Sequence, residues 1–263
     1  MTIPKLLEKK RQGQKITMLT AYDYIMARLL DEAGIDILLV GDTLGMVMLG
    51  YPNTLPVTME QMLHHTKAVS AGCKNALLVG DMPFMSFQVS ITETIHNAGR
   101  FIKEAGAQAV KLEWLPDAPQ KTKALAEAGI AVMGHVGLTP QAVHQMGGFK
   151  VQGREAEQAR RLVEEAQKLE DAGAFAIVLE AIPPQLAQEI TQKLTIPTIG
   201  IGAGADCDGQ VLVIHDMLGL NPGRPPKFVK QYAQLGQETI KAVQQYKQEV
   251  ESGVFPSEEF TYK

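Results

Sequence analysis

The sequence predicts an α/β protein of the TIM-barrel class, (β/α)8, because one short pattern recurs along the chain. In each copy an Ala-Gly pair closes a predicted helix, and a short apolar strand follows within a few residues. The pairs are Ala33-Gly34, Ala71-Gly72, Ala105-Gly106, Ala128-Gly129 and Ala172-Gly173. Helices that alternate with such strands build βαβ units around a parallel sheet. Five copies favour a closed barrel over an open doubly wound sheet, although repetition alone is compatible with both.

The length and continuity of the chain agree with this class. The chain has 263 residues, close to the roughly 250 of a typical barrel. No linker-like run of Pro, Ser and Gly and no block of like charge divides it. We therefore expect a single domain over residues 1–263, with one long helix near its carboxyl end.

The elements can be placed in order from their apolar runs and start signals. Strands are expected at 15–20, 37–40, 76–81, 109–113, 130–135, 176–180, 198–201 and 210–214. Asp23 is placed to cap the helix after the first strand, and Thr58 with Gln61 resembles a capping box. Further helices are expected at 90–105, 155–172, from 183 onward and at 228–251. Two long connections, 43–57 and 137–153, are expected to cover one end of the barrel.

Charge and composition argue against several classes of partner. The net charge is −4 and no basic cluster is longer than Lys9-Lys10-Arg11, which argues against nucleic acid. Cys73 and Cys207 are too few for a disulfide framework and suit a reducing cytosol. Residues 1–15 lack the apolar core of a secretory signal, and no apolar run approaches the roughly 20 residues that cross a bilayer. We expect a cytoplasmic enzyme that acts on small molecules, without a membrane or nucleic-acid partner.

Ionisable residues follow or end several of the predicted strands. In a barrel the carboxyl ends of all strands meet at one face, and polar residues there tend to be catalytic. The residues expected to converge on that face are Asp42, Asp81, Lys111, Glu113, His135 and Glu180.

Two of these residues predict a metal site. Asp42 and Asp81 both end the sequence Leu-Leu-Val-Gly-Asp. Either one alone also has a structural interpretation, as a helix cap or turn former. Their matched positions on neighbouring strands favour a cation between them, and Mg²⁺ commonly takes one or two carboxylates. Glu113 could add a third carboxylate, directly or through water.

The remaining candidates have a catalytic and a structural interpretation each. Lys111 and Glu113 are two residues apart on one strand and therefore point to the same face; the structural interpretation is an internal ion pair. Glu180 is placed to act as a general base, or else to cap the helix that begins near Pro183. His135 orients or protonates a group at the barrel end, or packs in its rim.

Together these residues suit one type of chemistry. A divalent metal bound by a 2-oxo acid acidifies the neighbouring C–H bond, a base removes that proton, and the metal stabilises the enolate charge. The spacing of the residues does not say what the enolate attacks.

Longer motifs make the sequence similar to a known family, the ketopantoate (3-methyl-2-oxobutanoate) hydroxymethyltransferases. The resemblance runs nearly end to end. It includes Val-Gly-Asp at 40–42, Leu-Pro-Val-Thr at 55–58, Asp-Met-Pro-Phe-Met at 81–85, Gly-His-Val-Gly-Leu-Thr-Pro-Gln at 134–141, Gly-Gly-Phe-Lys-Val-Gln-Gly at 147–153 and Glu-Ser-Gly-Val-Phe-Pro at 251–256.

The resemblance implies a (β/α)8 barrel that transfers a hydroxymethyl group from 5,10-methylenetetrahydrofolate to 3-methyl-2-oxobutanoate. The products are 2-dehydropantoate and tetrahydrofolate, in the first committed step of pantothenate biosynthesis. It also implies one Mg²⁺ per subunit, with 5,10-methylenetetrahydrofolate as co-substrate, and a homodecamer.

The same resemblance implies roles for individual residues. Asp42 and Asp81 are similar in position to the Mg²⁺ ligands, and Glu113 to a third carboxylate of the metal site. Asp42, Thr43, Asp81 and Lys111 are similar in position to the contacts of the oxo acid.

Glu180 resembles the proton acceptor of the family, and His135 stays a possible accessory residue. Two departures from the family pattern bear on the site. Many members have Ser where this chain has Thr43, and often Gly-Gly where it has Trp114-Leu115. The first keeps the hydroxyl; the second puts in question how Glu113 contacts the metal.

Two rival hypotheses belong to other functional classes. One is another Mg²⁺-dependent 2-oxo acid enzyme, of the phosphoenolpyruvate mutase or isocitrate lyase type, although the Cys-bearing catalytic loop expected of the lyases is absent from the sequence. The other is an inactive ring-forming barrel, against which stand the retained carboxylates, Lys111 and Glu180.

Overall fold

The computed structural model describes residues 1–148 and 150–262 of the chain. Phe149, which is part of one family motif, and Lys263 lie outside the described residues. The chain divides into two compact units, Met1–Val213 and a smaller one from Ile214 onward. The single domain expected over residues 1–263 stays a prediction.

The first unit contains a closed barrel of eight parallel strands in sequential order, which confirms the predicted fold class. The strands are β1 (Ile16–Thr20), β2 (Ile37–Val40), β3 (Leu77–Asp81), β4 (Ala109–Glu113), β5 (Ala131–Gly137), β6 (Ala176–Glu180), β7 (Thr198–Ile201) and β8 (Gly209–Leu212). The barrel closes where β8 pairs with β1, from Ile16 opposite Gly209 to Leu19 opposite Leu212.

Helices follow the strands in the order expected of βαβ units. In the first unit they are α1 (Ile3–Arg11), α2 (Tyr24–Glu32), α3 (Leu44–Val47), α4 (Met59–Gly72), α5 (Ile91–Lys103), α6 (Ala118–Glu127), α7 (Val143–Met146), α8 (Ala156–Asp171) and α9 (Pro184–Lys193), with a 3-10 turn at Pro140–Ala142. The second unit contains α10 (Ile214–Met217), α11 (Leu235–Glu251) and a 3-10 turn at Glu258–Phe260. Among the described residues, no helix is both long and apolar enough to cross a membrane.

Two predicted helix starts are confirmed in atomic detail. The Asp23 carboxylate accepts a hydrogen bond from the backbone N–H of Met26 at 2.8 Å. At the start of α4, the Gln61 side chain accepts from the Thr58 N–H at 2.9 Å, and the Thr58 hydroxyl accepts from the Gln61 N–H at 3.2 Å. These contacts satisfy N–H groups that the first helical turn leaves free, and so they fix where each helix leaves its loop.

The interior of the barrel is apolar toward the amino-terminal ends of the strands. The buried cluster consists of Leu6, Ile16, Met18, Ile37, Leu39, Leu77, Val79, Ala109, Met133, Phe175, Ala176, Val178, Ile199 and Val211. Leu6 comes from α1, whose lysines Lys9 and Lys10 form ion pairs with Asp36 at 2.5 Å and Asp208 at 2.8 Å. Helix α1 thus closes this end of the barrel, and the polar side chains gather at the other.

The last barrel strand differs from the sequence-based expectation. We expected a strand at 210–214 with His215 and Asp216 at its end, but β8 stops at Leu212. His215 and Asp216 belong to the short helix α10. The apolar run from Val211 to Ile214 does not distinguish a strand from the start of a buried helix, because both bury such residues.

Candidate active site

A cavity at the carboxyl ends of the strands, here called the mouth, brings the predicted site residues together. Its lining includes Asp42, Thr43, Asp81, Lys111, Glu113, His135 and Glu180. They come from β2 through β6 or from the residues that directly follow these strands. Parallel strands that end on one rim explain this convergence. The roles of the individual residues stay predictions.

Lys111 and Asp81 form an ion pair inside the mouth. The two residues lie opposite each other on β4 and β3, and Lys111 Nζ lies 2.6 Å from Asp81 Oδ1. Their side chains are only 6% and 3% exposed. Burial disfavours the charged ammonium, but the attraction of Asp81, Glu113 and Asp42 outweighs it and raises the pKa of Lys111 above its ordinary value. Lys111 is therefore a permanent cation at neutral pH.

Asp42 lies beside Asp81 at the same rim. Its backbone N–H donates to Asp81 Oδ2 at 3.3 Å, and its own Oδ2 accepts from Gln141 Nε2 at 3.0 Å. Burial and then the negative charge of Asp81 raise the pKa of Asp42 to about 7, with Lys111 and Gln141 partly opposing the shift. The positive charge of Lys111 thus does not fully offset burial and the repulsion between the two carboxylates.

Glu113 and His135 form a second register pair, one strand further round the barrel. Glu113 Oε2 accepts from the backbone N–H of Gln141 at 3.1 Å, and Glu113 Oε1 lies 3.8 Å from His135 Nδ1. Burial, only partly offset by Lys111, raises the pKa of Glu113 well above its ordinary value. At Trp114, where the chain departs from the family pattern, the backbone N–H donates to the His135 carbonyl at 2.9 Å and prolongs the pairing of β4 with β5.

His135 also contacts the predicted base. His135 Nε2 lies 3.1 Å from Glu180 Oε2, with the two side chains 1% and 18% exposed. Burial and then the charge of Lys111 lower the pKa of His135, although Glu180 opposes this shift. At neutral pH the imidazole is therefore neutral. At 18% exposure, the Glu180 side chain lies closer to solvent than that of His135.

Sequence reasoning missed two residues that contact the side chains of the mouth. The buried hydroxyl of Tyr22 hydrogen-bonds the side chains of Thr20 and Thr43, and burial raises the pKa of Tyr22 above its ordinary value. Because Tyr22 follows β1 as Asp42 follows β2, the strand-end rule could have found it. Gln141 lies on the 3-10 turn beyond β5, where that rule does not apply.

The donor set of the mouth fits a hard divalent cation. Among the described residues, no three His, Cys, Asp or Glu side chains form a complete metal cage. Mg²⁺ does not need one, because it binds through one or two carboxylates and keeps several waters. Asp42 and Asp81 lie side by side at the rim and are carboxylates of the kind that it uses.

A closed barrel with acidic side chains and a buried lysine at the carboxyl ends of its strands defines a (β/α)8 enzyme. The model of one family, ketopantoate hydroxymethyltransferase, matches residues 1–258. The chain belongs to this family, and it is a hydroxymethyl-transferring enzyme.

Relatives named 3-methyl-2-oxobutanoate hydroxymethyltransferase match nearly the whole chain. The protein of Syntrophus aciditrophicus (strain SB) is 58% identical over 96% of this chain and 93% of its own. That of Syntrophomonas wolfei subsp. wolfei is 56% identical over 100% and 96%. That of Clostridium botulinum (strain Loch Maree / Type A3) is 57% identical over 100% and 95%.

Solved structures with the same fold are distant in sequence. Phosphonopyruvate hydrolase in complex with oxalate and Mg²⁺ has a TM-score of 0.63 at 14% identity, over 100% of this chain and 92% of that chain. Phosphoenolpyruvate phosphomutase from Streptomyces platensis subsp. rosaceus has a TM-score of 0.64 at 16% identity, over 96% and 88%. At these identities the similarity shows the fold alone, so it gives no support to the activity of the phosphoenolpyruvate mutase type that we considered.

Proposed function

We propose that the protein converts 3-methyl-2-oxobutanoate to 2-dehydropantoate with 5,10-methylenetetrahydrofolate as one-carbon donor, and so serves pantothenate biosynthesis. The observation that carries the proposal is the match, over nearly the whole chain, to relatives named for this oxo acid. Glu180 is the proposed base. Its support is that it lines the same cavity as Asp42, Asp81 and Lys111 and is more exposed than His135 beside it.

The proposed reaction replaces the hydrogen on C3 of the oxo acid by a hydroxymethyl group. C3 of the oxo acid carries one hydrogen next to the carbonyl, and the Glu180 carboxylate removes it as a proton. The electron pair of that C–H bond forms a new bond from C3 to the one-carbon unit of the folate. Water supplies the hydroxyl oxygen of the product, and tetrahydrofolate leaves. Because C3 of the product carries no hydrogen, the reaction cannot repeat at that carbon.

Asp42 and Asp81, with Glu113 directly or through water, would hold the Mg²⁺. The bound cation would supply Lewis-acid stabilisation of the negative charge that develops on the oxo acid. Lys111 adds a fixed positive charge, because its ion pair with Asp81 keeps it both protonated and in place. Burial of these groups strengthens each electrostatic contact relative to water.

Thr43, His135 and Tyr22 orient the reacting groups in this proposal. The Thr43 hydroxyl lines the mouth directly after Asp42 and is held by the Tyr22 hydroxyl. Neutral His135 can donate its Nε2 proton to Glu180, which holds the carboxylate toward the mouth. A base held in one orientation reacts faster than one that must first be aligned.

Hydrogen–deuterium exchange at C3 of 3-methyl-2-oxobutanoate, followed by NMR, tests the proposed base. With Mg²⁺ and without folate, we expect exchange in the wild type, none without metal, and none in Glu180→Gln. The control is Glu164→Gln, since Glu164 is exposed on α8. Exchange that persists in Glu180→Gln would show that another group is the base.

The full reaction tests the proposal against the inactive ring-forming barrel. All seven predicted residues line the mouth, which supports activity. We expect tetrahydrofolate and 2-dehydropantoate to form in equal amounts when both substrates and Mg²⁺ are present. If neither product forms at any Mg²⁺ concentration, the hydroxymethyl transfer to this oxo acid is wrong.

We also propose a homodecamer and a cytoplasmic location, on the grounds given by the family resemblance and the composition. An exposed apolar face on α11 supports self-association: Ile240, Val243 and Tyr246 are 58%, 59% and 57% exposed in the single chain. Sedimentation velocity of the purified protein decides the assembly, because a decamer and a monomer differ about tenfold in mass.

A further inference from the structure

Gln141 contacts residues at the ends of three barrel strands, although it lies outside the sheet itself. It lies on the 3-10 turn Pro140–Ala142 that follows β5, and it is 7% exposed. Its side-chain Nε2 donates to Asp42 Oδ2 at 3.0 Å and to the Met82 carbonyl at 2.9 Å. Its backbone N–H donates to Glu113 Oε2 at 3.1 Å. One residue thus joins the ends of β2, β3 and β4.

These contacts connect two carboxylates that no pairing within the sheet connects. Asp42 follows β2 and Glu113 ends β4, and β3 lies between these strands, so no ladder hydrogen bond sets the distance between their carboxylates. Both carboxylates are buried, at 3% exposure each, and they repel each other. Gln141 donates to one oxygen of each and adds no charge. The other oxygen of each carboxylate is not engaged by Gln141.

The orientation of the Gln141 amide is itself fixed. Its Oε1 accepts a hydrogen bond from Gln88 Nε2 at 3.0 Å, so Nε2 is the group that faces Asp42. The Gln88 carbonyl in turn accepts from Lys121 Nζ at 3.4 Å. Lys121 is fully buried on α6. A chain of hydrogen bonds therefore runs from α6 to the carboxylates of the mouth.

We propose that Gln141 is a positioning residue, which holds Asp42 and Glu113 in the arrangement that binds the divalent cation. The inference rests on the proposed function, because that proposal assigns the cation to these carboxylates. Partners that orient metal ligands typically contribute about 10–100-fold to metal affinity. A purely structural tie between loop and barrel would instead change the stability of the protein and leave its affinity for metal unchanged.

Binding of Mn²⁺ alone, measured by the loss of its free-ion EPR signal without oxo acid or folate, separates the two roles. Gln141→Met keeps the length of the side chain and removes both of its donors, while the backbone N–H to Glu113 remains. We expect the Kd for Mn²⁺ to rise about 10–100-fold. Gln152→Met is the matched control: it lies in the same connection, and its Nε2 donates to the Lys150 carbonyl, at 2.9 Å.

Rescue by metal adds a second readout. In C3 exchange, raising the Mg²⁺ concentration should restore most of the rate of Gln141→Met, because the lost arrangement weakens binding and leaves Glu180 in place. Damage to the barrel would not be rescued. Should Gln141→Met not fold, Gln88→Met tests the same chain of contacts, since it removes the donor that orients the Gln141 amide; there we expect a several-fold rise in the Kd.

The possible outcomes separate this inference from the proposed function. An unchanged Kd in Gln141→Met, or in Gln88→Met where only that variant folds, overturns the inference alone. A wild type that binds no Mn²⁺ overturns it together with the metal site. Weakened Mn²⁺ binding in a protein whose wild type shows no C3 exchange supports the inference and contradicts the proposed reaction.

Discussion

His135 Nε2 lies 3.1 Å from Glu180 Oε2, at the ends of the neighbouring strands β5 and β6. Lys111 and burial keep the imidazole neutral, so only one of its two nitrogens carries a proton. With that proton on Nε2, neutral His135 lies beside the Glu180 carboxylate without forming an ion pair with it.

The first prediction is that His135 stays neutral at a pH where an ordinary histidine titrates. Its pKa lies below the ordinary value of 6.5, so at pH 6.5 the imidazolium form should be the minor one. NMR of ¹⁵N-labelled histidine, with His135→Gln to assign the signal, measures this directly. An imidazolium signal for His135 at pH 6.5 would show that the attraction of Glu180 outweighs burial.

The second prediction concerns the ion pair of Lys111 with Asp81. Lys111→Met removes the only partner charge within the buried pair, and such losses cost about 3–5 kcal/mol in the free energy of unfolding. The folded-state pKa of Lys111 is raised above 10.5, so its contribution is fully present at neutral pH and is lost only as the pH rises through the folded-state pKa.

Urea unfolding at pH 7 measures this cost. The control is Lys123→Met, because Lys123 forms an exposed ion pair: its side chain is 70% exposed, and its Nζ lies 3.9 Å from Glu127 Oε1. We expect the control to stay within about 0.5 kcal/mol of the wild type. Equal losses in both variants would mean that the buried pair contributes no more than a surface one.

The barrel and most of its mouth were predictable because they depend on local rules. Asp42 and Asp81 each end a run of apolar residues, and a parallel sheet brings such ends to one face. The register that pairs Asp81 with Lys111 and Glu113 with His135 was not predictable. Register in a barrel depends on how all eight strands close, which no single segment encodes.

Other features depend on contacts between segments far apart in sequence. Gln141 gains its importance from a turn that places it between Asp42 and Glu113, 99 and 28 residues away. On α2, Ile25, Met26, Leu29 and Leu30 have the sequence spacing of one apolar helix face. Ile25 and Leu29 are 61% and 56% exposed in the single chain, while Leu30 is 7% exposed. Apolar spacing alone therefore does not say which of these side chains the single chain buries.

The third prediction concerns the backbone behind the proposed base. Gly137 lies opposite Glu180 on β5 and has a φ of +99°; a Cβ there would lie 2.3 Å from the Glu180 carbonyl oxygen. Gly137→Ala must therefore move the end of β6. Because displacements of about 1 Å can cost roughly 100-fold in rate, we expect C3 exchange to fall by about that factor.

Gly129→Ala is the control for backbone strain alone. Gly129 also has a positive φ, +79°, but a Cβ there would meet no atom within 4 Å. We expect a stability loss of about 1–2 kcal/mol and an unchanged rate of exchange. If C3 exchange slows by the same factor in both variants, backbone strain and not displacement of Glu180 explains the effect.

The fourth prediction links Mg²⁺ binding to pH through Asp42. Its folded-state pKa of about 7 lies above its ordinary value of 3.8, so it stabilises the metal-free fold below pH 3.8 and loses that contribution as the pH rises through about 7. Mg²⁺ requires the ionised carboxylate and therefore competes with this proton.

The rise in Tm on adding Mg²⁺ should be larger at pH 8 than at pH 6. Below pH 7 the Kd for Mg²⁺ should rise about tenfold for each pH unit by which the pH falls. Asp42→Asn should abolish the shift at both pH values, whereas Asp171→Asn, exposed on α8, should retain it. An equal shift at pH 6 and pH 8 in the wild type would mean that Asp42 is already ionised in the metal-free protein, and that Lys111 compensates the carboxylate pair without a second cation.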